Sequence, residues 1–218
     1  NAPDFEAFRK SSKTHTDPYI MSIWIQMCLK SDRKDTIPFS KSKLKSVIPL
    51  VKGEIIKNNI NEEMKDLKNI FSSCGISFSV IHNLAGAPVQ GYMRLINSHI
   101  LLCVTLRQKF EDIFWFTILH EIGHLLNNHI SVGGVIDYND SRSSFFSSEE
   151  EADDFASNCL ISADAYNSAF EYSINEENIL KLSKQSHVTP GIVVGRLGHK
   201  NPLYFQKFGY LRKTLDWA

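Results

Sequence analysis

The stretch Phe114-Trp115-Phe116-Thr117-Ile118-Leu119-His120-Glu121-Ile122-Gly123-His124-Leu125-Leu126 decides how this chain is read. It is apolar almost throughout, lacks proline, and predicts a buried helix over roughly 110–128. His120 and His124 stand at i and i+4. They therefore lie one above the other on one helical face, about 6 Å apart along the axis. Two imidazoles so placed can reach one tetrahedral zinc ion. Glu121 lies about 100° round the helix, able to touch a water on such an ion without being a ligand. Chance alone would supply an HExxH pattern in this composition only about 0.02 times.

A catalytic zinc needs a third protein ligand and keeps one position open. Glu149-Glu150-Glu151 offers it, at the predicted start of a helix over 149–160 where acids also suit the dipole. Two features favour Glu149. Asp153 is one turn further on the same face and can hold a ligating His by its second nitrogen. Ala152, Phe155, Ala156 and Cys159 form the stripe that docks the helix, and Glu151 falls nearer that side. Glu151, then Glu150 or Asp153, are the alternatives.

Outward from this pair, residues 1–17 are polar and read as a mobile lead-in. Asp17-Pro18 begins a short apolar helix through Leu29. Ser40 caps a helix over 41–58, kinked or interrupted at Pro49, and a further helix runs from Asn61 to Gly75. Ile76, Phe78 and Val80 alternate with serines as a strand. Val89 to Leu95 and His99 to Thr105 read as a hairpin. Residues 129–148 read as a polar loop, placed by its flanking ligands to gate the cleft. Thr189-Pro190 starts one of several short helices in the tail. The order predicts an α+β fold, a small antiparallel sheet packed with helices. Two segments are expected, a lead-in and short helix over 1–35 and a catalytic domain over 36–216.

Lys+Arg and Asp+Glu are both 24, so the formal net charge is zero. A neutral chain is a poor ligand for a polyanion, which argues against direct nucleic-acid binding. No apolar run is long enough to span a membrane. The four cysteines are 46, 29 and 56 residues apart and lie in apolar stretches, so all four read as buried thiols in a reducing compartment.

The stretch quoted first resembles the active-site helix of the ImmA/IrrE-type metallopeptidases. Glu149-Glu150-Glu151-Ala152-Asp153-Asp154-Phe155-Ala156 resembles that family's second motif, a Glu followed at i+3 and i+4 by Ala and Asn or Asp, then Phe-Ala. Thr189 to Leu197 is similar to the subgroup fused behind an XRE-type helix-turn-helix regulator or antitoxin. The resemblance covers roughly 36–216. It departs at Cys159-Leu160-Ile161-Ser162, where the family often has a Leu-Leu-Met-Pro-like run, and at His129, one residue later than the family's usual His.

The resemblance implies a gluzincin-like core with one zinc held by His120, His124 and Glu149. It implies a cytoplasmic endopeptidase that cleaves a specific helix-turn-helix repressor or antitoxin. Glu121 would be the general base toward a zinc-activated water. Tyr92, Arg94, Tyr138, His187, Arg196 and His199 are candidates to hold the oxyanion, with Arg196 first because it lies in the family-like tail. The alternative is a regulatory or antitoxin module that keeps the zinc site for stability, sensing or partner binding without proteolysis.

Overall fold

The structure is a computed structural model that describes residues 7–10, 17–33, 36–57, 59–128 and 142–215. Strand β1 (Ala7–Lys10) precedes helices α1 (Pro18–Lys30), α2 (Lys41–Glu54) and α3 (Ile60–Ser72). Strands β2 (Ile76–Val80), β3 (Val89–Ile96) and β4 (His99–Val104) follow. The rest is helical: α4 (Glu111–Leu126), α5 (Arg142–Leu160), α6 (Ala163–Ala169), α7 (Glu176–Ser186), α8 (Pro190–Lys200) and α9 (Leu203–Phe208).

Local chemistry sets many of these boundaries. The Asp17 carboxylate accepts from the Tyr19 and Ile20 amides ahead of Pro18, so the first orphan donors of α1 are satisfied. Ser40 caps α2, which runs through Pro49 to Glu54. Asn59 caps α3. Gly75 holds φ at +79°, and a Cβ there would overlap the Pro38 carbonyl. The reversal from α3 into β2 therefore needs glycine.

The sheet order is β1-β3-β4-β2. β3 and β4 form the expected hairpin, with Ile96 opposite His99 and Asn97 at φ 54° in the two-residue turn. The sheet is mixed, whereas an antiparallel one was expected. β2 runs parallel to β4, Ile76 opposite Ile100 and Val80 opposite Val104. Parallel pairing needs a crossover, and the connection from β2 through the β3 hairpin arm supplies it. Residues 7–10 also depart from the expected lead-in, because they form an edge strand antiparallel to β3.

Alternation along the strands splits the core between the two faces. Tyr92, Leu101 and Cys103 pack with Met21, Trp24 and Cys28 of α1. Met93, Ile100, Leu102 and Val104 face the larger cluster that holds α4. β4 is buried at every position, as an inner strand covered on both faces must be. Helix α4 is buried along nearly its whole length, packed under β3 and β4 on one side and against α5 and α8 on others. Cys28, Cys74 and Cys103 are buried free thiols, while Cys159 is only partly buried. Among the described residues, no helix is long and apolar enough to cross a membrane.

Helix α5 starts at Arg142, about two turns before the expected start at Glu149. Residues 142–148 therefore belong to a helix, not to the expected loop. The rest of that loop, with Tyr138 and His129, lies outside the described residues.

Candidate metal centre

His120 and His124 are carried on α4 and are 1% and 4% exposed. Their Nε2 atoms are 3.0 Å apart. Across the helix interface, Glu149 Oε2 is 3.5 Å from His120 Nε2, and Glu149 Oε1 is 3.2 Å from His124 Nε2. One ligand atom from each of the three side chains thus lies within 4.8 Å of the others, and among the described residues they form a group that can hold a metal ion. Burial alone would raise the Glu149 pKa. Hydrogen bonds and charge from His120 and His124 outweigh it and hold the carboxyl well below the usual carboxylate range. An ionised carboxylate between two imidazoles is the protonation state a cation requires.

Asp153, one turn beyond Glu149, stands 2.7 Å from His120 Nδ1. A carboxylate can only accept, so Nδ1 carries the proton and, once the ring is neutral, it is Nε2 that presents its lone pair to the ligand cluster. The acidic neighbours Glu150 and Glu151 are exposed and outside the convergent group.

Glu121 is 2% exposed. Its carboxyl group lies against the backbone of β3. A Cβ built on Gly91 would stand 2.9 Å from the carboxyl carbon and 3.2 Å from Cγ. Glycine at position 91 is therefore the condition for Glu121 to sit where it does. Sequence reading passed over Gly91, although a glycine inside a strand is the ordinary signal of a close approach.

The other candidates are placed elsewhere. Arg196 donates to the backbone carbonyls of Ser157 and Ile161, and its guanidinium lies 4.4 Å from the centre of the Tyr166 ring. Those carbonyls are eight and twelve residues past Glu149, roughly 12–18 Å further along the chain direction of α5. Arg196 thus closes the end of α5, and the oxyanion role expected of it has no support in this geometry. Tyr92 is fully buried on the α1 face of the sheet, edge-on to Trp24. His187 is the left-handed cap of α7, and His199 is exposed in the last turn of α8. Arg94 shares the strand parity of Tyr92, which faces α1.

No family model matches the chain, and no curated protein sequence matches it.

Proposed function

We propose that the chain is a zinc-dependent endopeptidase with a specific regulatory protein as substrate. The observation that carries this reading is the spacing of the three ligand atoms. Bonds of 2.0–2.1 Å to a tetrahedral zinc put ligand atoms about 3.3 Å apart. The two Nε2 atoms are 3.0 Å apart, and the Glu149 carboxylate sets one oxygen 3.5 Å from that of His120 and the other 3.2 Å from that of His124, so the side chains bracket that spacing. Two imidazoles and one carboxylate are also the donor set of catalytic zinc sites that keep a position open. When bound, zinc supplies a Lewis acid that makes water a nucleophile near neutral pH.

The remaining chemistry belongs to the chain. Asp153 keeps His120 in the tautomer that leaves Nε2 free. Glu121 takes the proton of the attacking water and passes it to the leaving amine as the peptide C–N bond breaks. Its burial against Gly91 fixes that carboxyl group and keeps bulk water from it. The substrate class, a helix-turn-helix repressor or antitoxin, rests on the likeness of residues 114–126, 149–156 and 189–197 to the ImmA/IrrE-type enzymes. A cytoplasmic location fits the four free thiols.

The test is Glu121→Gln in the zinc-loaded protein, offered the DNA-binding regulators encoded beside it and casein as a general substrate. Zinc content should stay near one per chain, and cleavage of one regulator should fall at least ~100-fold. Equal cleavage by both proteins would end the peptidase mechanism. Tight binding of one partner without cleavage by either would replace it with the regulatory module.

A further inference from the structure

We infer that the β3 edge at Gly91 is the docking edge for an extended peptide, and that β1 is an internal strand occupying it. This rests on the peptidase reading for the identity of the guest as substrate, while the edge and its occupant are read from the sheet itself.

The hydrogen-bond parity of β3 identifies the edge. The Thr105 amide donates to the Gln90 carbonyl, so the main-chain groups of Gln90, Tyr92 and Arg94 face β4. Those of Val89, Gly91 and Met93 face the opposite way, toward β1. Gly91 is the residue whose backbone touches the Glu121 carboxyl group. The sheet thus brings one row of main-chain donors and acceptors beside the proposed general base. The opposite margin of the sheet is β2, and α4 packs under β3 and β4 instead.

The occupant has the features of a competitor. β1 is four residues long and antiparallel to β3, the arrangement of a peptide added to a sheet edge. Its register runs Ala7 opposite Met93 and Phe8 opposite Tyr92, then slips so that Lys10 is opposite Val89. Regular pairing would put Arg9 opposite Gly91, so the slip falls beside Glu121. A guest strand in continuous register would carry its backbone past Gly91 without that slip. So short a strand owes its place to being tethered. A short linker supplies a local concentration of the order of millimolar, which a free peptide must overcome. The apparent affinity for the guest is its intrinsic affinity scaled by the fraction of chains with β1 released.

The experiment uses the zinc-loaded 218-residue chain carrying Glu121→Gln, so that nothing is cut. In a second protein Ala7→Pro and Arg9→Pro are added, which remove two ladder donors from β1. The probe is a fluorescein-labelled peptide with the sequence of residues 4–12. Its binding is read by anisotropy, and amide exchange of Gly91 and Met93 is read by NMR. With β1 broken, the peptide should bind at least ~10-fold tighter. The Gly91 and Met93 amides should exchange faster in that protein and be protected again by the peptide, while the Tyr92 amide stays protected. Equal affinity for both proteins, unchanged exchange at Gly91, or labile Gly91 with no peptide binding would each overturn the inference. None of these readouts requires cleavage, so peptide binding as expected here, alongside a wild-type protein that cuts no regulator, would defeat the peptidase reading alone.

Discussion

Gly123 of α4 meets Ala152 of α5 backbone to backbone. A Cβ on Gly123 would stand 3.1 Å from the Ala152 Cα, 3.2 Å from its carbonyl oxygen and 3.2 Å from Phe155 Cδ1. Gly123 precedes His124, and Ala152 lies between Glu149 and Asp153 in the sequence, one turn before the buried Ala156. The closeness of two helix backbones at this point therefore sets the span between the imidazoles and the carboxylate. Packed helices stand about 8–10 Å apart depending on the side chains at the contact, and a small pair favours the short end.

Gly123→Ala should loosen the metal site more than the fold. Replacing Gly by Ala inside a helix contributes about 1 kcal/mol. Against it stands overpacking of about 1–3 kcal/mol, because the atoms met are backbone. Net stability should change by less than about 2 kcal/mol, while zinc affinity drops ~10-fold as Glu149 moves off. Chelator competition and thermal melts measure the two effects. Unchanged zinc affinity would show that the helix spacing does not govern the site.

Alanine at His120, His124 or Glu149 should each weaken zinc by at least ~100-fold, beyond the ~10–100-fold typical of an outer partner. Glu150→Ala and Glu151→Ala should leave zinc content unchanged, since both side chains are exposed and outside the cluster. Zinc per chain after dialysis decides it. Loss of metal from the Glu151 variant with retention in the Glu149 variant would move the third ligand.

Asp153→Asn should keep the fold and weaken zinc by ~10–100-fold. The amide can turn its NH2 toward His120 Nδ1, which favours the tautomer that presents a proton to the metal. The Asp153 side chain is about half exposed, so stability should change little. The NMR shifts of the His120 ring nitrogens report the tautomer directly, and an unchanged ring would remove Asp153 from the site.

Local spacing made the centre legible, and pairing across the chain made the rest illegible. His120, Glu121 and His124 lie within one turn or so of one helix, so helical periodicity alone relates them. Glu149 and Asp153 are related in the same way on α5. The strand β1 could not be read, because Ala-Phe-Arg-Lys has no alternation and becomes a strand only by joining the β3 edge. The direction of β2 beside β4 is likewise a non-local choice. The Ser-rich start of α5 resembles a loop in composition, yet each Ser costs a helix only about half a kcal/mol. The contacts of Arg196 were equally out of reach of local pattern, because its partners, Ser157 and Ile161, are 39 and 35 residues away.

Arg196→Met should lower stability and spare the chemistry. The guanidinium closes the α5 end and stacks on Tyr166, and hydrogen bonds from a charged donor are worth about 1.5–3 kcal/mol. Methionine keeps much of the volume over the ring. Urea unfolding should show the loss while zinc affinity stays within ~3-fold of wild type, the ordinary behaviour of sites far apart. A large fall in turnover with unchanged stability would restore Arg196 to the reacting centre.

Glu111, at the start of α4, should make the protein less stable as pH rises from weakly acid to neutral. It is 3% exposed, and burial pushes its pKa from 4.5 up to about 7, with Glu63 and Asp112 adding repulsion. Thr189 and Lys213 oppose the rise without cancelling it. The sign follows from proton counting. Between pH 4.5 and 7 the folded chain holds a proton on Glu111 that the unfolded chain has released. Stability therefore decreases across that window, and the contribution is lost once pH passes the folded value. A shift of this size corresponds to up to about 3 kcal/mol. Glu111→Gln keeps the shape and the neutral state at every pH. With zinc saturating, the variant should match wild type near about pH 5 and exceed it by up to about 3 kcal/mol near about pH 8. Urea unfolding followed by tryptophan fluorescence gives the difference directly. Because other titrating groups affect both proteins alike, only the gap between them is read. A gap that stays constant with pH would mean that Glu111 is ionised in the folded protein throughout.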